Sequence, residues 1–465
     1  VSDLPAAFLT GSLTRHIIVM SLTSAVGLVA IFLVDVVDML FISMLGVEEL
    51  AAAVGFAGTV LFLTTSICIG MAIAGGALVA RALGEGFTDR ASEVLTHVMI
   101  VGVVFAIAFA TLILVNLEDL TRLIGARDET QRLAMSYLTI LLPSMPLLMI
   151  GIVGSAALRS HGAGRLSMQV TLVAGVVNAA LDPIFIFVFG WDLDGAAAAS
   201  VVSRFALAAT ALWHLQTRFG GLSRLDPAAL ARDLKTIAAI AVPAMLSNIA
   251  APIGGAYVVR AVAEFGEAAV AGMAIVGRIT PIAFALIFAM SGAIGPIIGQ
   301  NFGAGRHHRV RTAFNTSIGL IVVYVVPAVA VLFLARGWIA DLFGATGDAR
   351  ELVFLFCGPL SLLWIFNGVI FIGNASYNNL GHPFYSTWVN WGRNTLGIFP
   401  FVWAGAQIWG AEGVLIGQMV GGVPVAVASF IIAERLMRRA EVRKISQAPD
   451  FAAHRRWFNI VHTRR

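Results

Sequence analysis

Runs of about 20 apolar residues, the length a helix needs to cross a bilayer, recur some twelve times along this chain. They lie near 16–44, 50–80, 92–117, 133–157, 166–189 and 195–217, then near 236–262, 268–299, 311–335, 350–374, 386–408 and 412–437. Inside a bilayer every backbone donor and acceptor must be satisfied within the chain, so helices are the expected form of such runs. Of the residues, 59% are hydrophobic and 12% charged, against about 25% charged in soluble domains. The fold class is therefore an all-α polytopic membrane protein, and a soluble α/β enzyme is excluded.

The two sets of six runs repeat. Ala77–Gly86 aligns with Pro296–Gly305 at an offset of 219, and Gly154–Ala157 aligns with Gly373–Ser376 at the same offset. Each set holds an even number of spans, so both start on the same side and the repeat is parallel, a pseudo-two-fold about the membrane normal. Such duplications put a cavity between the lobes near mid-bilayer. The expected division is a first lobe over 1–217, a polar linker over 218–235, a second lobe over 236–437 and a basic tail over 438–465. Lys and Arg fix the orientation: 21 of the 30 fall on one side, in the linker, the tail and alternate loops, which predicts both termini in the cytoplasm. Residues 1–14 lack a signal-peptide pattern, so the first span is expected to act as its own insertion signal.

Few charges lie deep in the spans. Asp35 and Asp38 sit in span one, three residues apart and on one side of the helix. A mid-bilayer acid costs roughly 2.5–3.5 kcal/mol on insertion scales and needs a protein-lined or wet surround. A second acid stands in Asn178–Pro183, with Asn178 and Asp182 four apart and Pro183 freeing a carbonyl one turn back. The repeat places Asp38 opposite Tyr257 or Val258 and Asp182 opposite Phe401, so the architecture does not require these acids. Carboxylates gathered in an apolar surround suit uptake of a proton or of a monovalent cation through oxygen ligands. Arg204, Arg278 and Arg393 also fall within spans and are candidates for ion pairing or substrate contact, and Met273 for lining a pliable apolar cavity. Gly295, Gly299 and Gly303, and Gly413, Gly417 and Gly421, recur every four residues, which marks close helix packing within the chain rather than a dimer seam.

Other chemistries find no support. Cys68 and Cys357 are isolated in apolar runs, the nine histidines form no metal-binding pattern, and there is no Walker lysine. No cofactor, resident metal or nucleic-acid partner is expected, and energy for transport has to come from an ion gradient.

The turn Gly299–Gly305, the segment from Val37–Met39 to Gly46–Ala51, and Asn178 to Asp182–Pro183 together resemble the multidrug and toxic compound extrusion (MATE) transporters, over about residues 12–440 and most similarly their DinF-like branch. The resemblance implies a V-shaped pair of lobes in a bacterial inner membrane, and a monomer exporting cationic or amphipathic compounds against H⁺ or Na⁺ by alternating access. It assigns coupling to Asp38, Asn178 and Asp182 (the Na⁺ ligands, were sodium used), with Tyr137 and Ser200 around them, and an interlobe role to Arg278; Asp35 is left as a neighbour that tunes the pKa of Asp38 or holds an arginine. The alternative within the superfamily is a lipid or lipid-linked sugar flippase, or an organic-anion exporter. Two departures stand out. Span one lacks the proline on which many relatives bend it, and Glu264 and Glu267 are too peripheral to form a second-lobe sodium site.

Overall fold

A computed structural model describes residues 6–45 and 47–442; within α1 and α2 the side chains of Asp35, Val36, Leu40, Ser43, Glu48 and Ala51, and in the last helix that of Val442, lie outside the described set. The first lobe is built from α1 (Leu13–Met44), α2 (Glu48–Gly84), α3 (Thr88–Val115), α4 (Leu117–Leu123), α5 (Asp128–Leu141), α6 (Met145–Ser160), α7 (Gly164–Pro183) and α8 (Asp192–Phe219). The second follows with α9 (Pro227–Ala263), α10 (Glu267–Ala283), α11 (Ala285–Gly303), α12 (His307–Leu342), α13 (Gly347–Phe356), α14 (Trp364–Asn379), α15 (Phe384–Asn394), α16 (Phe399–Val420) and α17 (Gly422–Val442). No strand occurs among the described residues.

Proline accounts for much of the segmentation. Span four breaks into α5 and α6 across a 3₁₀ turn, Leu142–Ser144, which contains Pro143 and leads into Pro146. The matching span of the second lobe breaks at Pro359–Leu363. α1, without proline, runs unbroken for 32 residues. Among the described residues eleven helical stretches are long and apolar enough to cross a membrane. The last of them, Phe384–Glu441, is 58 residues long and reverses at Trp409–Gly410, where Gly410 has φ 59°. It therefore has the length and the reversal for two crossings, which makes twelve among the described residues. The reversal brings glycine onto glycine: a Cβ on Gly413 would lie 1.9 Å from the Gly405 carbonyl oxygen, and one on Gly421 1.5 Å from that of Gly397. The four-residue glycine spacing is thus an intramolecular seam.

The sequence repeat is visible where the lobes meet. Ala80 and Gly299, equivalent at the 219 offset, face each other, with 2.8 Å between the Ala80 Cβ and the Cβ position on Gly299. On either side of this axis a Cβ on Gly84 would lie 2.1 Å from the Gln300 carbonyl, and one on Gly303 2.4 Å from the Arg81 carbonyl. Gln300, fully buried, pins the junction: its Nε2 donates to the Ser160 carbonyl (2.7 Å) and its Oε1 accepts from the Phe8 amide (2.9 Å).

Each lobe also holds the lead-in to the other lobe's first helix. On α3, Arg90 pairs with Asp233 of α9, and His97 Nδ1 lies 2.6 Å from the same carboxylate. On α12, Arg309, the repeat equivalent of Arg90, donates to the carbonyls of Phe8 (3.1 Å) and Gly11 (3.2 Å) ahead of α1. Phe8, Leu13, Ile17 and Met20 pack into the second lobe's core, while Ile42 and Leu50 belong to the far half of the first lobe's core. The connection between lobes is shorter than expected. Asp226 caps α9 by accepting from the Ala228 amide (2.9 Å), with Pro227 in the first turn, so only 220–226 are non-helical.

Candidate functional site: an acid–amide cluster in the first lobe

α1 and α7 lie side by side in parallel. A Cβ on Gly164 would sit 2.7 Å from Met20 Sδ, and one on Gly27 2.5 Å from Thr171 Oγ1, so small residues set the close approach. That register puts Asp38 beside Asn178 and Asp182. Asn178 Nδ2 donates to Asp182 Oδ2 at 2.7 Å and reaches Asp38 at 3.3 Å and 3.5 Å. The Asp38 and Asp182 carboxyls are within hydrogen-bonding reach of each other. Ser200 Oγ of α8 donates to Asn178 Oδ1 at 3.5 Å. Tyr137, buried on α5, lies beside Ser200 and Arg204 and feels the charges of both acids. Immediately after Pro183 the backbone widens into a π-helical turn, Ile184–Val188, a feature frequent at functional sites.

Asp182 is 0% exposed and its Oδ1 accepts no hydrogen bond among the described residues. Two carboxyls in contact, one with an orphan oxygen, form an electrostatically incomplete group: a proton or a small cation between them would satisfy it. The equivalent place in the second lobe is filled differently. Tyr257 stacks on Phe399 (4.2 Å between centroids) and donates to its carbonyl (3.3 Å), so the acids are a specialisation of the first lobe.

Five sequence candidates, Asp38, Asn178, Asp182, Tyr137 and Ser200, come together. The side chain of Asp35 lies outside the described residues. Arg204, Arg278, Met273 and Arg393 stand in four different settings. Arg204 does not face the second lobe; it lies inside the first, donating to Ser144 Oγ (3.0 Å) and the Leu141 carbonyl (3.2 Å), because the 3₁₀ break after α5 frees acceptors there. Arg278 is exposed on α10 and makes no hydrogen bond or ion pair among the described residues. Met273 packs on the second lobe's own core. Arg393 lies within the second lobe, its Nε 4.0 Å from the Cβ position of Gly422. Arg159, two residues past the expected end of span four at 157, is helical and partly buried; its equivalent in the repeat, neutral Asn378, was the available signal.

Two repeated six-crossing lobes, with a buried acid–amide cluster in one of them, define a multi-pass membrane transporter. The family model MatE matches residues 23–184 and 243–403, one stretch in each lobe, and the chain belongs to that family. It is similar to an FAD transporter of Shewanella oneidensis (26% identity over 435 residues, covering 92% of this chain and 96% of that one). It is also similar to the multidrug export protein MepA of Staphylococcus aureus (23% identity, covering 91% and 94%). In structure it resembles the Vibrio cholerae MATE transporter VcmN, with a TM-score of 0.88 at 24% identity over 92% of this chain and 97% of that one.

Proposed function

We propose that this chain is a proton-coupled antiporter that exports amphipathic organic compounds across a bacterial inner membrane, with both termini in the cytoplasm. The observation that carries the reading is the Asp38–Asn178–Asp182 cluster. Asn178 turns its Nδ2, a donor, toward both carboxyls. That arrangement serves a pair of acids sharing a proton, whereas a sodium ion would call for the amide oxygen.

The arginine-rich ends (Arg81, Arg90, Arg306, Arg309) lie at the sealed junction of the lobes. With that end in the cytoplasm, the cleft opens outward and its acids are poised to take a proton from outside. Protonation removes the repulsion between Asp38 and Asp182 and lets α1 and α7 close on one another, which expels substrate. The proton then leaves on the inner side. One proton yields about 1.36 kcal/mol per pH unit and about 2.3 kcal/mol per 100 mV, roughly a tenfold or larger concentration ratio each.

The names of the relatives, one for FAD and one for drugs, support export of amphipathic molecules and leave substrate charge open. The test is transport in reconstituted vesicles with imposed pH or sodium gradients. Asp38→Asn and Asp182→Asn are expected to lower pH-driven transport more than tenfold. Wild-type rates in both variants, or drive by sodium alone, would refute proton coupling at this site.

A further inference from the structure

The cleft floor carries a charge for which the mechanism above has no use. Arg159 of α6 makes a single polar contact, Nη1 to Ser167 Oγ at 2.9 Å, and no ion pair among the described residues. Ser167 Oγ lies 3.2 Å from Ser155 Oγ, so two hydroxyls back the guanidinium. Across the lobe boundary its Nε is 3.8 Å from the Cβ position of Gly292, which is exposed. A guanidinium inside a membrane protein normally pairs with a carboxylate or faces a water-filled cavity; this one has no carboxylate partner among the described residues and is partly exposed beside the exposed Gly292.

The repeat shows that the fold does not need the charge. Residues equivalent to Ser155, Arg159 and Ser167 are Asn374, Asn378 and Ser386. There Ser386 Oγ donates to Asn378 Oδ1 at 3.0 Å, and a neutral amide completes the same junction. The residue equivalent to Gly292 in the first lobe is Ile73. The chain has thus put a cation at this place in one lobe only, and left the side chain off opposite it. Arg204 and Arg393 likewise make no ion pair among the described residues, so the lobes' interior is positive once the two coupling acids are neutralised.

We infer that Arg159, backed by Ser155 and Ser167 and uncovered by Gly292, is an anion subsite that receives an oxyanion, carboxylate or phosphate, of the exported compound. A planar guanidinium with free donors matches such groups bidentately. The inference rests on the transport reading and adds a substrate charge to it: an amphipathic compound with an anionic end.

The test is equilibrium binding of carboxyfluorescein to detergent-purified protein, with ethidium as the cationic comparison. Wild type is expected to bind carboxyfluorescein more tightly than ethidium. Arg159→Gln should weaken carboxyfluorescein at least tenfold, Arg159→Lys less. Gly292→Leu, which keeps the arginine but covers it, should also weaken it, and decides the matter if Arg159→Gln does not fold. Unchanged carboxyfluorescein affinity in both Arg159→Gln and Gly292→Leu, or a wild type that prefers ethidium, overturns the inference. Phosphatidylglycerol that competes with the dye identifies a lipid headgroup as the source of the oxyanion; lack of competition identifies a soluble one. The two proposals fail separately: wild-type pH-driven transport in Asp38→Asn would sink the coupling role and leave the subsite standing, whereas unchanged dye affinity in Arg159→Gln and Gly292→Leu would sink the subsite and leave the coupling role standing.

Discussion

Replacing Gln300 by alanine should unlock the sealed end of the cleft. Its side chain satisfies the Phe8 amide at 2.9 Å and the Ser160 carbonyl at 2.7 Å, both buried, and joins three separate parts of the chain. Removing it leaves one donor and one acceptor without these partners. At about 1–2 kcal/mol for each orphaned group, the sealed state loses about 2–4 kcal/mol. A state in which the junction is already parted loses nothing, so the equilibrium shifts toward it by that amount, a factor of roughly 30 to 1,000. Leu123 and Leu342, equivalent positions in the two lobes and both exposed (83% and 61%), accept spin labels without disturbing the core. In a background lacking Cys68 and Cys357, the distance between labels at 123 and 342 is expected to move to a new, shorter population in Gln300→Ala. A distribution that matches the unsubstituted protein at every pH tested would refute the claim that Gln300 pins the junction.

Three further outcomes are expected. Gly413→Val drives a branched side chain into the Gly405 backbone, 1.9 Å from the new Cβ, and should cost about 3 kcal/mol or more, read as loss of monodisperse protein on size exclusion. Asp233→Asn removes the carboxylate shared by Arg90 and His97 while Arg90 keeps its Glu93 pair (2.8 Å), and should destabilise by about 1–2 kcal/mol, seen as a lower melting temperature. His161, in the loop before α7, is stacked on Phe219 (4.4 Å) and burial pushes its pKa from 6.5 down to about 4. The neutral ring is the one the folded state accepts, so its contribution is complete above about pH 6.5 and is lost as pH falls toward 4. His161→Phe should flatten the melting temperature over that window, and an unaltered pH profile would remove the histidine from the account.

The crossings were legible because apolar length is a nearly sufficient signal in a bilayer. The duplication was legible because both lobes reuse the same glycine-marked junction. The acid cluster could be read through Asp38, Asn178 and Asp182, since an acid in an apolar run has to be explained. The arginines were harder. Arg204 reads as a stray cation in a span, but the acceptors that hold it come from a backbone break at Pro143, which sequence marks only as a proline. Arg278 falls within an apolar run and is nonetheless exposed. Arg159 sits at the end of its helix, where an inside-loop arginine is expected; only the closeness of α11 shows that it reaches the lobe boundary.

The crossed lead-ins bear on how the molecule is made. A chain emerging from its N-terminus delivers Phe8, Leu13, Ile17 and Met20 first, yet their packing partners are in the second lobe. The start of α1 must therefore wait, its apolar face uncovered, until α11 and α12 have been synthesised and inserted. Arg90 of α3 waits in the same way for Asp233 of α9. The first lobe made alone would thus carry two unfinished edges, and the halves have to mature as one unit.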